Sequence, residues 1–136
     1  MKNEKIIKEN FDFALENHKN NNLKVAEEIY KKILNVDPVH FKSTVLLGTL
    51  FAQKKNFTLA KQFLQKAIQI NPNYAETHYN LGLVFSEMEN PEEAIKCYEK
   101  AIEINPNYPE AYNNLGNSYK ESEDFETATK FYEKAI

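Results

Sequence analysis

Between Tyr79 and Ile102 the apolar residues fall into two runs of helical spacing with a polar break between them. Tyr79, Leu81, Gly82 and Phe85 make the first run, and Ala94, Ile95, Tyr98, Ala101 and Ile102 the second. Each is the stripe of a helix that buries one face. Moved by 34 residues in either direction, the same kinds of residue return: Ala14, Gly48, Gly82 and Gly116 form one series, Ala26, Ala60, Ala94 and Ala128 another, and Pro38, Pro72 and Pro106 a third. A period kept without insertion or deletion means an array of one supersecondary unit.

The polar breaks predict where helices stop. Asn22, Asn56, Asn90 and Asp124 recur at the same step. Their side-chain oxygens suit them to cap the second helix of each unit, and Pro91, Glu92 and Glu93 are favoured first-turn residues. The exit is marked by Asp37-Pro38, Asn71-Pro72 and Asn105-Pro106, because the residue before proline is pushed out of helical backbone geometry. The pattern predicts helices over 4–18, 23–35, 39–54, 57–69, 73–88, 91–103, 107–122 and 125–136. The repeats run 7–40, 41–74, 75–108 and, incompletely, 109–136, forming a single domain. Small residues such as Gly82 and Ala94 are expected to let the paired helices approach closely, while Leu47, Leu81, Leu115 and Phe13 fill the core.

Composition adds exclusions. The longest apolar run, near Val45–Leu47, is far too short for a membrane span, and the acids of the N-terminal stretch do not fit a secretory signal. A cytoplasmic, water-soluble chain is expected. The net charge of −3 gives no general attraction to nucleic acid, and with 17 lysines and no arginine the chain lacks bidentate guanidinium recognition. His18, His40 and His78 share no ligand spacing with the single Cys97, which sits in the helical series Ile29, Phe63, Cys97, Phe131 and reads as a small core residue. No phosphate loop and no nucleophile–base–orienter set is present, so no catalytic role, metal or cofactor is expected.

The third repeat, with Leu81, Gly82, Phe85, Ala94, Tyr98, Ala101 and Pro106, and the fourth, with Tyr112, Leu115, Gly116, Tyr119, Ala128, Tyr132 and Ala135, resemble the tetratricopeptide repeat. The first repeat departs from it, with Ala14 at the glycine position and Asn10 and Asn17 at aromatic positions. The resemblance implies an all-α, right-handed superhelical solenoid of antiparallel helix pairs, in about four repeats. It also implies a scaffold that binds a peptide or partner protein in a concave groove lined by the first helix of each pair. The chain ends six residues short of a fourth full unit, from which a continuation of the natural protein is expected.

The family's groove positions fall here on Phe11, Leu15, Val45, Leu46, Thr49, Tyr79, Asn80, Leu83, Asn113, Asn114 and Asn117, among others. On this reading the apolar members hold side chains of a bound peptide, and the asparagines, each both donor and acceptor, bond its main chain. Part of the set could equally pack between repeats. The acid-gripping clamp of co-chaperone members is missing, since Phe11, Leu15, Leu46, Glu76 and Asn80 occupy the corresponding places. Asn80 and Asn114 are similar to the asparagine ladder of O-linked N-acetylglucosamine transferases, although Asp12 and Leu46 interrupt it. A substrate-recruiting region of a larger transferase is thus an alternative. A third follows from charge: residues 41–74 carry +5, 75–108 carry −5, and the remainder from Pro109 carries −3. That polarity suits either a self-assembling homo-oligomer, joined head to tail through the uncapped C-terminal end, or solvated outer faces.

Overall fold

The computed structural model describes residues 2–136, which form eight helices. They are α1 (Lys2–Lys19), α2 (Leu23–Val36), α3 (Phe41–Gln53), α4 (Phe57–Ile70), α5 (Ala75–Glu87), α6 (Pro91–Ile104), α7 (Pro109–Glu121) and α8 (Phe125–Ala135). Every predicted helix is present within two residues at each end. Odd and even helices form hairpins, giving an all-α array of helix pairs. Packing divides the chain into two compact units, 1–70 and 71–136.

The turn inside each pair is built the same way four times. Asn21, Lys55, Glu89 and Glu123 all take a left-handed backbone, with φ of 62°, 61°, 58° and 62°. The following amide reaches back five residues: Asn22 N donates to Asn17 O, Asn56 N to Phe51 O, Asn90 N to Phe85 O, and Asp124 N to Tyr119 O, at 2.8–2.9 Å. This closure satisfies orphan carbonyls of the odd helix, and it usually falls to glycine because a Cβ is crowded there. The next residue then begins the even helix. Asn56, Asn90 and Asp124 accept hydrogen bonds from the backbone N–H groups of Leu59, Glu93 and Thr127. Asn22 does not cap as expected: its Nδ2 instead donates to Asn17 Oδ1, 3.2 Å away. The repeat-breaking Asn17 supplies an acceptor where the later units have Phe51, Phe85 and Tyr119.

Between pairs, Asp37, Asn71 and Asn105 accept from the N–H two residues on, across the intervening proline. This Asx turn fixes the path into the next odd helix. His78 Nε2 and the Tyr112 hydroxyl, one period apart, then donate to the carbonyls of Pro72 and Pro106.

The core of each unit lies between its helices. Ala26, Tyr30, Leu47, Leu50, Ala60 and Leu64 are fully buried in the first, and Ala94, Ala101, Ala111 and Leu115 in the second. The glycines have a more specific partner than the facing alanine. A Cβ on Gly82 would stand 2.5 Å from Tyr98 Cε1, and one on Gly116 would stand 2.6 Å from Tyr132 Cε1. Each glycine therefore makes room for a tyrosine ring from the opposite helix. At Gly48 the neighbour is Leu64, at 2.9 Å. Phe13 is a correction: it is 54% exposed, whereas Leu47 and Leu115 at the same repeat position are fully buried. Those leucines sit on helices packed between two neighbours, and among the described residues no helix precedes α1 to cover Phe13.

Candidate functional site

The residues expected to line a binding face lie on the odd helices, and the two units present them differently. In the first unit, Phe11 and Leu15 on α1 and Leu46 and Thr49 on α3 are half-buried. Phe11 is wedged against the rings of Tyr30 and His40, with centroids 6.2 and 5.5 Å away. Thr49 directs its hydroxyl to the Leu46 carbonyl, 2.9 Å away. Val45 is a correction to the expected set: at 7% exposure it belongs to the core and offers no surface for a peptide.

His18, which with Gln53 falls among the groove positions that the resemblance implies, joins three helices of this unit. Its Nε2 donates to Gln53 Oε1 at 2.5 Å, and its Nδ1 accepts from the buried Tyr30 hydroxyl at 3.1 Å. His40 caps α3: its Nδ1 accepts from Ser43 N, and the Ser43 hydroxyl lies 2.8 Å from the same nitrogen. Burial holds the His40 imidazole below its ordinary pKa; Lys42 acts in the same direction and Asp37 opposes both.

The second unit carries a connected polar ladder. Tyr132 on α8 donates to Asn117 Oδ1 at 2.6 Å, and Asn117 Nδ2 donates to Asn114 Oδ1 at 3.4 Å. Asn114 Nδ2 in turn donates to Tyr79 Oη at 2.9 Å and to the Glu110 carbonyl at 3.0 Å. Donation thus runs in one direction from α8 across α7 to α5, and it ends on the Tyr79 hydroxyl, whose own proton is left to donate. Both amide hydrogens of Asn114 are consumed inside the ladder. Asn80 and Asn113, on the same helices, make no hydrogen bond among the described residues, and Leu83, one turn along α5 from Asn80, is 37% exposed. The sequence set therefore splits: Asn114 braces, while Asn80 and Asn113 are open.

Aromatic packing fixes the upper end of this face. Tyr79 lies 5.0 Å from Tyr108 and 5.8 Å from Tyr98, ring centre to ring centre, and the Tyr98 hydroxyl is 3.1 Å from Ser86 Oγ. Burial raises the Tyr79 hydroxyl pKa, with Glu110 adding to the effect and the Asn114 hydrogen bond opposing it. Burial also pushes Tyr98 up to about 12. These hydroxyls stay neutral at ordinary pH. Tyr108 had not been singled out from the sequence, because it lies in the turn before α7 rather than on a periodic stripe.

Among the described residues no cluster of three or more histidine, cysteine or acidic side chains could hold a metal ion, and no helix is long and apolar enough to cross a membrane. Cys97 is partly buried and its thiol is pushed up to about 12, mainly by burial and then by Glu93, which leaves it a poor nucleophile.

Comparison with known proteins agrees with this architecture. Tetratricopeptide-repeat profiles match residues 75–108 and 97–130, and a TPR-repeat profile matches residues 48–89. No curated protein sequence matches the chain. Among solved structures, one of MamA is 29% identical with a TM-score of 0.91, over 95% of this chain and 75% of that one. MamA of Desulfovibrio magneticus RS-1 is 22% identical with a TM-score of 0.89, over 95% of this chain and 73% of its own. An O-GlcNAc transferase of Thermobaculum terrenum is 27% identical with a TM-score of 0.82, over 88% of this chain but only 23% of that one. Repeat spacing, helix pairing, profile matches and structural likeness agree, and the chain belongs to the tetratricopeptide-repeat family.

Proposed function

We propose that the chain is a non-catalytic protein-interaction scaffold and that the odd-helix face of its second unit binds an extended peptide segment. The observation that carries this reading is that the amides of Asn80 and Asn113 make no hydrogen bond among the described residues, on helices α5 and α7, where α5 also carries the exposed Leu83 and the unspent Tyr79 proton. Open donors and acceptors next to an apolar side chain suit a main chain with an apolar residue every second or third position. Asn114 and Asn117 serve this face by holding Tyr79 in place. In the first unit Phe11, Leu15, Leu46 and Thr49 offer a more apolar surface, from which Val45 is excluded.

Selection of a random displayed peptide library against the protein tests the reading. Selected peptides should bind at least roughly tenfold more weakly to Asn80→Ala/Asn113→Ala, as expected when two hydrogen bonds of ordinary strength are lost. Unchanged binding to that variant would place recognition elsewhere and overturn the assignment.

A second reading, a substrate-recruiting segment of a larger transferase, is supported by the likeness to the Thermobaculum terrenum O-GlcNAc transferase and by Asn80 and Asn114 at ladder positions. The internal use of both Asn114 amide hydrogens weighs against a ladder that works through that residue.

A further inference from the structure

We infer that Tyr74, Glu76, Tyr79, Tyr108 and Glu110, gathered where α5 and α7 begin in the second unit, form a subsite for the cationic side chain of a lysine or arginine in the bound segment. The inference deepens the peptide-binding reading and rests on it for the source of the cation. It adds a chemical class that the repeat pattern does not specify.

The geometry begins with the rings. Tyr79 and Tyr108 stand 5.0 Å apart at 37°, and the Tyr79 hydroxyl is anchored by Asn114. The Tyr74 hydroxyl donates to Glu76 Oε2 at 3.2 Å. Glu76 and Glu110 occupy equivalent first-turn positions, one period apart, and both are exposed. Burial is the main cause that raises the Tyr108 hydroxyl pKa, and the charges of Glu76 and Glu110 and the neighbouring Tyr79 and Tyr74 add to it, consistent with five groups in one neighbourhood. Neither carboxylate joins an ion pair among the described residues, although lysines elsewhere in this unit pair with Glu93, Glu103 and Glu126.

Ring faces carry negative quadrupole potential, and two unpaired carboxylates beside them add full negative charge. Together they attract a cation and repel an anion. The wider field has the same sign: residues 71–136 contain five lysines against thirteen acids. A first-turn carboxylate already gains from its helix terminus, and that gain is complete without the ligand, so it does not satisfy the second negative charge a cation would meet. Charge complementarity therefore selects a basic segment as the occupant.

The probes are N-acetyl-lysine methylamide and its uncharged isostere N-acetyl-norleucine methylamide, titrated separately at low salt into the isotopically labelled chain. The lysine compound should produce saturable NMR shifts centred on Glu76, Tyr79, Tyr108 and Glu110, and the norleucine compound should not. Glu76→Gln/Glu110→Gln should weaken the lysine response roughly fivefold or more, and Tyr108→Leu should weaken it while Tyr108→Phe retains it. Far-ultraviolet circular dichroism of each variant confirms that it is folded. Equal responses to both compounds, or a lysine response indifferent to the Gln and Leu variants, would overturn the subsite. Failure here is separable from failure of the peptide-binding reading: library peptides that need Asn80 and Asn113 but contain no basic residue would leave the groove standing without the subsite. Lysine-compound shifts without any selected peptide would do the reverse.

Discussion

The two compact units use one helix-pair plan for different surfaces. Residues 1–70 hold twelve lysines and seven acids, a balance of +5, whereas 71–136 hold five lysines and thirteen acids, a balance of −8. The first unit pairs Gly48 with an aliphatic Leu64 and turns half-buried apolar side chains outward. The second pairs Gly82 and Gly116 with tyrosines and spreads amides and hydroxyls over the equivalent face. The repeat requires a small residue opposite a large one and a sharp turn between helices. It leaves the outward positions of the odd helices and the chemistry of the large residue free, and there the units diverge.

The largest effect that would test this comparison is at the leucine position of the repeat. Leu115→Ala should cost about 2–5 kcal/mol in chemical denaturation, because a fully buried side chain leaves a cavity, while Phe13→Ala at the equivalent place should change stability by less than about 0.5 kcal/mol. Similar costs at both positions would mean that Phe13 is covered in solution.

Next come the glycines. Gly82→Ala should destabilise by about 1–3 kcal/mol, since the new methyl meets a ring held by the Ser86 contact and by close packing. Gly48→Ala should be milder: Leu64 can turn its branched end aside, and the helix gains up to about 1 kcal/mol from the loss of glycine. Thermal or urea unfolding that gave the reverse order would break the distinction between the ring-filled and aliphatic pairs.

The turns should behave alike in both units, and this is the sharper test of what is shared. Lys55→Gly and Glu89→Gly each relieve a left-handed backbone at a non-glycine residue and should stabilise by about 0.5–1 kcal/mol. Equal gains would show that the closure is independent of the surface chemistry around it.

A smaller difference concerns pH. α3 is capped by His40, whereas α5 and α7 start at Tyr74 and Tyr108 without a side-chain cap. With the folded His40 pKa below its ordinary 6.5, the unfolded chain takes up the proton first. Its contribution is therefore complete above pH 6.5 and is lost as pH falls through the lower folded value. Protonating Nδ1 also removes the acceptor for Ser43 N. Unfolding midpoints at pH 7 and 5.5 should fall more for the native chain than for His40→Asn, whose amide oxygen caps without titrating. Parallel curves would remove His40 as the cause.

Much of this molecule was legible before its structure. Helix number, boundaries, turn positions and three of the four caps followed from spacing, because a 34-residue period leaves only one way to alternate buried and exposed faces. On the odd helices, the exposure of Leu83 and Asn113 was legible too. The errors have physical causes. Val45 and Leu46 are adjacent in sequence, and periodicity alone does not say which turns inward. Phe13 looked like core because the pattern treats every repeat as if flanked by two others. Asn114 looked open because a sequence shows an amide's capacity and not the partners that consume it.

What the sequence by itself determined is the repeating unit: local rules of capping, proline placement and apolar spacing act within a few residues and suffice to specify each helix pair. What only the tertiary structure decided is how side chains from different helices spend their hydrogen bonds and charges. The one-way ladder from Tyr132 to Tyr79, and the packing of Tyr108 on Tyr79, join residues up to 53 positions apart. No local pattern records such neighbours, because packing of one helix pair on the next sets their distances.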